Sequence, residues 1–166
     1  LFRSSAASDV YKRQILDSSL NPVLILFPIF PIILIMHIHT VVNALQLRNS
    51  IMNKELDSRW LKYMPGWEKI PLNIQASREL YKNLFEAPLP FIVYCLFAYT
   101  VGHVTMFNLV LSWFYVAFRI WHYYVRISNP KISKRRVPFQ YSLIVTFILW
   151  TESVSYTHLR AHETGY

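Results

Sequence analysis

The sequence predicts an all-α membrane protein with four transmembrane helices in an up-down bundle. Its 166 residues are 54% hydrophobic and 16% aromatic, and the mean hydropathy is +0.26. This composition is too apolar and too rich in rings for an ordinary soluble domain of this size. The apolar residues are concentrated in four long segments, which is typical of helices that cross a bilayer.

The first segment, Asn21 to Leu47, contains no charged side chain. It exceeds the ~20 residues that a helix needs to cross a hydrocarbon core of ~30 Å. Pro28 and Pro31 lie within it and predict a tilt or a kink. The other segments extend from about Leu80 to Gly102, from Phe107 to Ile127 and from Val137 to Trp150.

The two ends of the chain do not resemble the rest. Residues 1–14, LFRSSAASDVYKRQ, resemble a translated sequencing adapter, and residues 153–166 resemble its counterpart through the string SYTHLRAHET. Neither end shows apolar periodicity. We therefore expect the four-helix domain to occupy residues 15–152, and we assign no function to either end.

The charge of the chain is strongly basic, with 17 Lys+Arg against 9 Asp+Glu and a net charge of +8. This balance suits nucleic acid or the anionic face of a membrane, and the hydropathy favours the membrane over nucleic acid. The basic residues collect in connections 48–82 and 128–136, whereas connection 101–108 contains no Lys or Arg. The positive-inside rule therefore places both basic connections in the cytoplasm and both termini outside.

Several kinds of site are not favoured by the sequence. Cys95 is the single cysteine, so an intramolecular disulfide framework is excluded, and we interpret it as an apolar core residue. His37 and His39 would point to opposite sides of a helix, so no metal site is expected there. The sequence contains no glycine-rich phosphate loop, nucleophile elbow or HExxH motif, which argues against nucleotide binding and hydrolysis.

Two rows of side chains follow helical spacing inside the second and third segments. The first row is Glu79, Asn83, Glu86 and Pro90, and the second row is Tyr115, Arg119, His122 and Arg126. Steps of four, three and four keep each row on one helix face. Glu86 and Arg119 lie at similar depths, and an uncompensated charge at the bilayer centre costs at least ~2.5 kcal/mol. We therefore predict an ion pair between Glu86 and Arg119.

The polar rows have two interpretations that the spacing alone does not separate. Polar contacts between helices could simply lock the helices together. The rows could also form a ligand site, because more polar groups are present than one ion pair requires. Further cations at the same edge, Arg126, Arg135 and Arg136, together with the Tyr115 hydroxyl, suit a small polyanionic ligand.

The two polar rows lie in longer stretches that resemble a known family. YKNLFEAPLPFIVYCLFAY, with its Asn-x-x-Glu, and SWFYVAFRIWHYYVRI, with its Arg-x-x-His, resemble the MAPEG family, the membrane-associated proteins of eicosanoid and glutathione metabolism. The resemblance covers roughly residues 20–150 and is closest to the bacterial members. It implies a homotrimer in the bacterial inner membrane that binds glutathione, as a co-substrate, between adjacent subunits near the cytoplasmic side.

The resemblance also implies roles for particular residues. Asn83 and Glu86 match second-helix positions of the glutathione site, Arg119 matches the buried arginine of the third helix, His122 matches a position lining the ligand site, and Arg135 or Arg136 corresponds to the arginine that stabilises the glutathione thiolate. Tyr115 and Arg126 join the predicted binding site through their places in the row. The chain departs from the family at Glu79, where an arginine is usual, and at Arg126, where a tyrosine is common.

The function implied by this resemblance is that of a glutathione transferase or peroxidase. Its second substrate would be a lipophilic electrophile that reaches the protein from the lipid bilayer. The alternative is a non-catalytic membrane module that keeps the four-helix fold and uses the Glu86 to Arg119 pair as architecture.

Overall fold

The computed structural model describes residues 20–59, 70–128 and 132–163, and no strand occurs in this part of the chain. The regular elements are a 3₁₀ helix, Pro22–Leu26, and five helices: α1 Ile29–Met52, α2 Leu72–Glu86, α3 Leu89–Val101, α4 Met106–Ser128 and α5 Ile132–Glu163. The predicted all-α fold class is confirmed. Residues 1–14, which we interpret as foreign, lie outside the described residues.

Four helical segments follow one another in the predicted order. Pro22–Met52 and Leu72–Val101 are long and apolar enough to cross a membrane by length and composition. The first combines the 3₁₀ helix with α1, and the second combines α2 with α3. The 23 residues of α4 and the 32 residues of α5 also exceed the ~20 that a bilayer core requires. Polar side chains within α4 and α5 reduce their hydropathy.

The bounds of three helices differ from the predicted segments by several residues, and the first is α1, which extends to Met52, beyond the predicted end at Leu47. α2 begins at Leu72, earlier than the predicted start at Leu80, and α5 extends from Ile132 to Glu163, beyond both predicted bounds. Hydropathy marks the part of a helix that suits a bilayer interior. Backbone hydrogen bonds continue through polar residues beyond that part, so a helix extends further than its apolar stretch.

The helices pack into two units. The α1–α2 unit is Phe30–Pro90, and the α3–α5 unit consists of the described residues before Phe30 and after Pro90. The boundary between α2 and α3 falls at prolines: Pro88 lies between the two helices, and Pro90 lies in the first turn of α3. A proline has no backbone N–H, and it is tolerated in the first turn of a helix.

The α1–α2 unit is held by an apolar cluster and by a buried hydrogen bond. The cluster consists of Leu56, Ile70 and Ile74, with Leu47 and Ile51 packed against it. The hydrogen bond joins the middles of the two helices, where Nε2 of His39 donates to the backbone oxygen of Ser77 over 2.9 Å. Both residues are buried. Apolar packing thus joins the end of α1 to the start of α2, and the hydrogen bond joins them further along.

α1 ends in a Schellman motif with a lysine in the left-handed position. Lys54 has φ +60°. Its N–H donates to the oxygen of Ile51 over 3.0 Å, and the N–H of Glu55 donates to the oxygen of Ser50 over 2.9 Å. The Ser50 hydroxyl donates to a carboxylate oxygen of Glu55. These bonds satisfy helix carbonyls that would otherwise lack donors, at the cost of a strained backbone at Lys54.

Replacing Lys54 by glycine should stabilise the protein. A left-handed conformation costs an L-residue roughly 1–2 kcal/mol, and glycine adopts it freely. We expect Lys54→Gly to raise the free energy of unfolding in detergent by about 1 kcal/mol. The matched control is Asn53→Gly, one residue earlier, where φ is not positive. Equal effects of the two substitutions on chemical denaturation would contradict this account.

Aromatic rings hold the α3–α5 unit together. Phe91 of α3 stacks on Tyr115 of α4, with ring centroids 3.9 Å apart and planes 13° apart. Trp150 of α5 contacts Tyr94 and Phe97 of α3, at centroid distances of 5.9 Å and 5.7 Å. Such ring pairs add to the free energy gained from burying the rings themselves. Each of the three helices therefore contributes rings to one shared core.

A short turn sets the entry of the chain into α4. α3 is followed by Gly102, which has φ +72° and donates its N–H to the oxygen of Ala98 over 3.1 Å. Thr105 then caps α4, because its hydroxyl oxygen accepts from the N–H of Asn108 over 3.2 Å. The backbone of Leu20 donates to the oxygen of Val104 over 2.7 Å. The turn before α4 is thereby held by hydrogen bonds to α3, to α4 and to Leu20.

Candidate functional site

α4 carries a row of polar side chains along its buried face. The row consists of Asn108, Ser112, Tyr115, Arg119 and His122. Steps of four and three residues place all of them on one side of the helix. Tyr115 and Arg119 are each only 1% exposed. α4 thus brings Tyr115, Arg119 and His122 together, as their spacing predicts.

The guanidinium of Arg119 lies among aromatic rings. Its Cζ atom is 5.8 Å from the centre of the Phe139 ring, which α5 supplies. Tyr115 precedes Arg119 by one helical turn, and its ring is stacked on Phe91 of α3. A cation near an aromatic face is attracted by the ring quadrupole. The rings therefore give this charge favourable contacts in a region where water is scarce.

The sequence around Arg119 contains cations and no acids. No Asp or Glu occurs between Glu86 and Glu152, whereas this stretch contains several arginines and lysines. A buried charge is stable only with compensating charges, dipoles or rings close to it. Any carboxylate that approaches the row on α4 therefore comes from outside residues 87–151. The electrostatic character of this part of the protein favours anions.

His122 lies one turn further toward the end of α4. It is 5% exposed, and its ring centre is 5.6 Å from that of Phe139. Its Nδ1 makes no hydrogen bond within the described part of the chain. A buried imidazole nitrogen without a protein partner can donate to or accept from a ligand. Phe139 thus contacts two of the predicted site residues, Arg119 and His122.

The three remaining arginines of the predicted site differ in their burial. Arg126, in the last turn of α4, is half-buried, and Arg136 on α5 is exposed. Arg135 is half-buried and lies one turn before Phe139 on α5. The sequence left Arg135 and Arg136 as equal candidates for one role. Their surroundings distinguish them, because Arg135 lies on the side of α5 that faces α4.

Asn83 and Glu86 occupy the last turn of α2, in the other unit. Asn83 is half-buried, and its backbone oxygen accepts from the N–H of Ala87 over 3.2 Å. Glu86 is exposed. Glu86 and Arg119 belong to different units, and their ion pair stays a prediction.

Glu79 forms an ion pair within α2. One of its carboxylate oxygens is 3.6 Å from Nζ of Lys82, and both side chains are about half exposed. Exposed pairs of this kind contribute little to stability, typically under ~1 kcal/mol. The pair does show that the negative charge of Glu79 has a cation beside it, immediately before Asn83.

Sequence reasoning missed two residues of the buried row and the ring that covers it. Asn108 and Ser112 continue the same spacing toward the start of α4, and both are 0% exposed. Their spacing could have revealed them, but the prediction followed charged side chains. Phe139 has no such signal, because its contact with Arg119 depends on how α5 is rotated against α4.

The described residues offer no group of three His, Cys, Asp or Glu side chains that could hold a metal ion. The two histidines of the HIH motif behave differently from each other. His37 is exposed, with Nδ1 2.8 Å from the oxygen of Ile33 in the same helix, whereas His39 is buried against α2.

The helices indicate the class of protein, and a comparison with known families then identifies the family. Four helical segments, two of them apolar enough to cross a membrane, indicate an all-α membrane protein. The chain belongs to the MAPEG family, whose model matches residues 24–155. Members of this family are all-α membrane bundles and include glutathione-dependent transferases and peroxidases. No curated protein and no solved structure matches the chain.

Phe139 should stabilise the protein because its ring lies against Arg119 and His122. Replacing it by leucine removes the ring from Arg119 and His122, and we expect the free energy of unfolding to fall by about 1–2 kcal/mol. Phe147→Leu is the matched control on the same helix, because Phe147 is 73% exposed. Chemical denaturation in detergent should show less than ~0.5 kcal/mol for the control. Equal losses would contradict the proposed contact.

Proposed function

We propose that the protein is a glutathione-dependent transferase or peroxidase that acts on lipophilic electrophiles within the membrane. Family membership supports the reaction class. The observation that carries the proposal is the buried row on α4, where Tyr115, Arg119 and His122 combine a cation with two further hydrogen-bonding groups. A polar face of this kind in a membrane helix is costly unless it serves a partner or a ligand.

Each part of glutathione has a suitable partner in this proposal. The tripeptide carries two carboxylates, an ammonium group and a thiol. Arg119 and Arg126 would bind carboxylates, because a guanidinium forms paired hydrogen bonds with them. Asn83 and Glu86 would bind polar groups of the peptide, with the Glu86 carboxylate suited to the ammonium group. Tyr115 and His122 would complete the binding site.

Arg135 is the proposed catalytic residue. A cation close to a thiol favours the thiolate, which is the nucleophilic form. In the transferase reaction the thiolate sulfur forms a bond with the electrophilic carbon, and the leaving group departs with the electron pair of its bond. Arg135 would stabilise the negative charge on sulfur before this attack. Its half-buried position on the side of α5 that faces α4 supports this choice over Arg136.

The proposed setting is the inner membrane of a bacterium, as a homotrimer. The basic connections 48–82 and 128–136 would face the cytoplasm. Large apolar side chains are exposed on the single subunit, among them Phe30 at 65% and Phe147 at 73%. Lipid and neighbouring subunits would cover these surfaces. The exposed Glu86 carboxylate would then contact a ligand that a neighbouring subunit also contacts.

Binding and turnover of glutathione test the proposal directly. Purified protein in detergent should be stabilised against heat by millimolar glutathione, and it should conjugate glutathione to an aryl halide. We expect Arg135→Ala to lower kcat about 100-fold, with a much smaller change in the Kd for glutathione, because it stabilises charge in the reaction. Lys134→Ala is the control, since it removes an exposed cation from the preceding position.

Two results would contradict these assignments. Absence of glutathione protection in the wild type would contradict a glutathione-dependent function and favour the non-catalytic membrane module. A larger loss of kcat in Arg136→Ala than in Arg135→Ala would transfer the catalytic role to Arg136.

The oligomeric state is a separate prediction. Native mass spectrometry of the protein released from detergent micelles should show three copies of the chain, because the family resemblance implies a ligand site between adjacent subunits. A monomer as the main species under conditions that preserve glutathione binding would contradict the trimer.

A further inference from the structure

The two histidines of the HIH motif on α1 bind different partners. His37 is exposed, and its Nδ1 is hydrogen-bonded to the oxygen of Ile33, which lies in its own helix. His39 is 2% exposed, and its Nε2 donates to the backbone oxygen of Ser77 on α2 over 2.9 Å. The Ser77 hydroxyl is 3.5 Å from the same nitrogen. One motif therefore supplies a link within a helix and a link between two helices.

Packing alone does not require a histidine at this position. A leucine would fill a similar volume without a polar group that needs a partner in an apolar region. The carbonyl of Ser77 has a second lone pair that can accept from a side chain while the helical hydrogen bond is kept. A polar contact of this kind contributes modest stability, but it specifies one arrangement of two helices.

The hydrogen bond marks the side of α2 that faces α1. Glu86 follows Ser77 by nine residues, which is about two and a half helical turns at 3.6 residues per turn. When Ser77 faces α1, Glu86 is directed to the opposite side of α2, in agreement with its exposure. Asn83 lies between them along the helix. A rotation or slide of α2 at Ser77 would move both side chains.

We propose that His39 is a positioning residue, which holds α2 in the register that presents Asn83 and Glu86 to the ligand. The apolar cluster of Leu56, Ile70 and Ile74 keeps the start of α2 in place without it. Loss of the His39 bond therefore leaves the α1–α2 unit folded and allows the second half of α2 to move. The identity of the ligand in this inference rests on the proposed function. The register of α2 rests on the hydrogen bond from His39 to Ser77.

The test compares His39→Leu, His39→Gln and His37→Leu in the full chain. The glutamine amide can donate to the same carbonyl, and His37→Leu removes the neighbouring imidazole of the same motif. We expect His39→Leu to raise the KM for glutathione about tenfold, equivalent to 1.4 kcal/mol, while kcat stays within about twofold. His39→Gln should recover most of this loss, and His37→Leu should change neither constant.

Hydrogen exchange measured by mass spectrometry provides a readout that does not depend on glutathione. Amides of α2 after Ser77 should exchange faster in His39→Leu than in His37→Leu, while those around Ile74 stay protected. If the wild type does not bind glutathione, the proposed function fails, and faster exchange after Ser77 still supports the register. Unchanged exchange in His39→Leu overturns the inference. A loss of both kcat and thermal stability in His39→Leu that His39→Gln does not recover also overturns it.

Discussion

The burial of the Arg119 guanidinium is the constraint on which the α3–α5 unit depends. A charge in an apolar region needs favourable contacts on every side. No Asp or Glu occurs in the chain between Glu86 and Glu152, so α3, α4 and the first part of α5 can offer this charge rings and dipoles but no carboxylate of their own. Phe139 provides a ring face at 5.8 Å, and the stacked pair of Phe91 and Tyr115 lies one turn away.

These contacts also determine which surfaces of the three helices meet. Tyr115 and Arg119 share one face of α4, so the helices that supply their partners must pack against that face. α3 supplies Phe91 to this face, and α5 supplies Phe139. Trp150 then joins α5 to α3 near their other ends. Packing and electrostatics therefore favour the same arrangement, which is what makes a polar row in a membrane helix stable.

The α1–α2 unit is organised by a different interaction. Its apolar cluster lies near the connection between the two helices, and further along α2 the bond from His39 to Ser77 joins the pair. α2 ends at Glu86 because prolines follow it, so the last turn of the helix carries Asn83 and Glu86. In the α1–α2 unit, the end of α2 sets the position of Asn83 and Glu86. In the α3–α5 unit, the aromatic rings that pack against α4 set the position of its polar side chains.

The sequence by itself determined the four helical segments, their order and the part of the polar row on α4 that consists of Tyr115, Arg119 and His122. These properties are local, because hydropathy and a spacing of three and four residues depend only on neighbours along one helix. Tertiary structure decided that Arg135 rather than Arg136 lies toward α4, that Phe139 covers Arg119, and that His39 rather than His37 contacts α2. Those contacts depend on how each helix is rotated against another that is distant in the chain, and no periodicity within a single segment specifies that rotation.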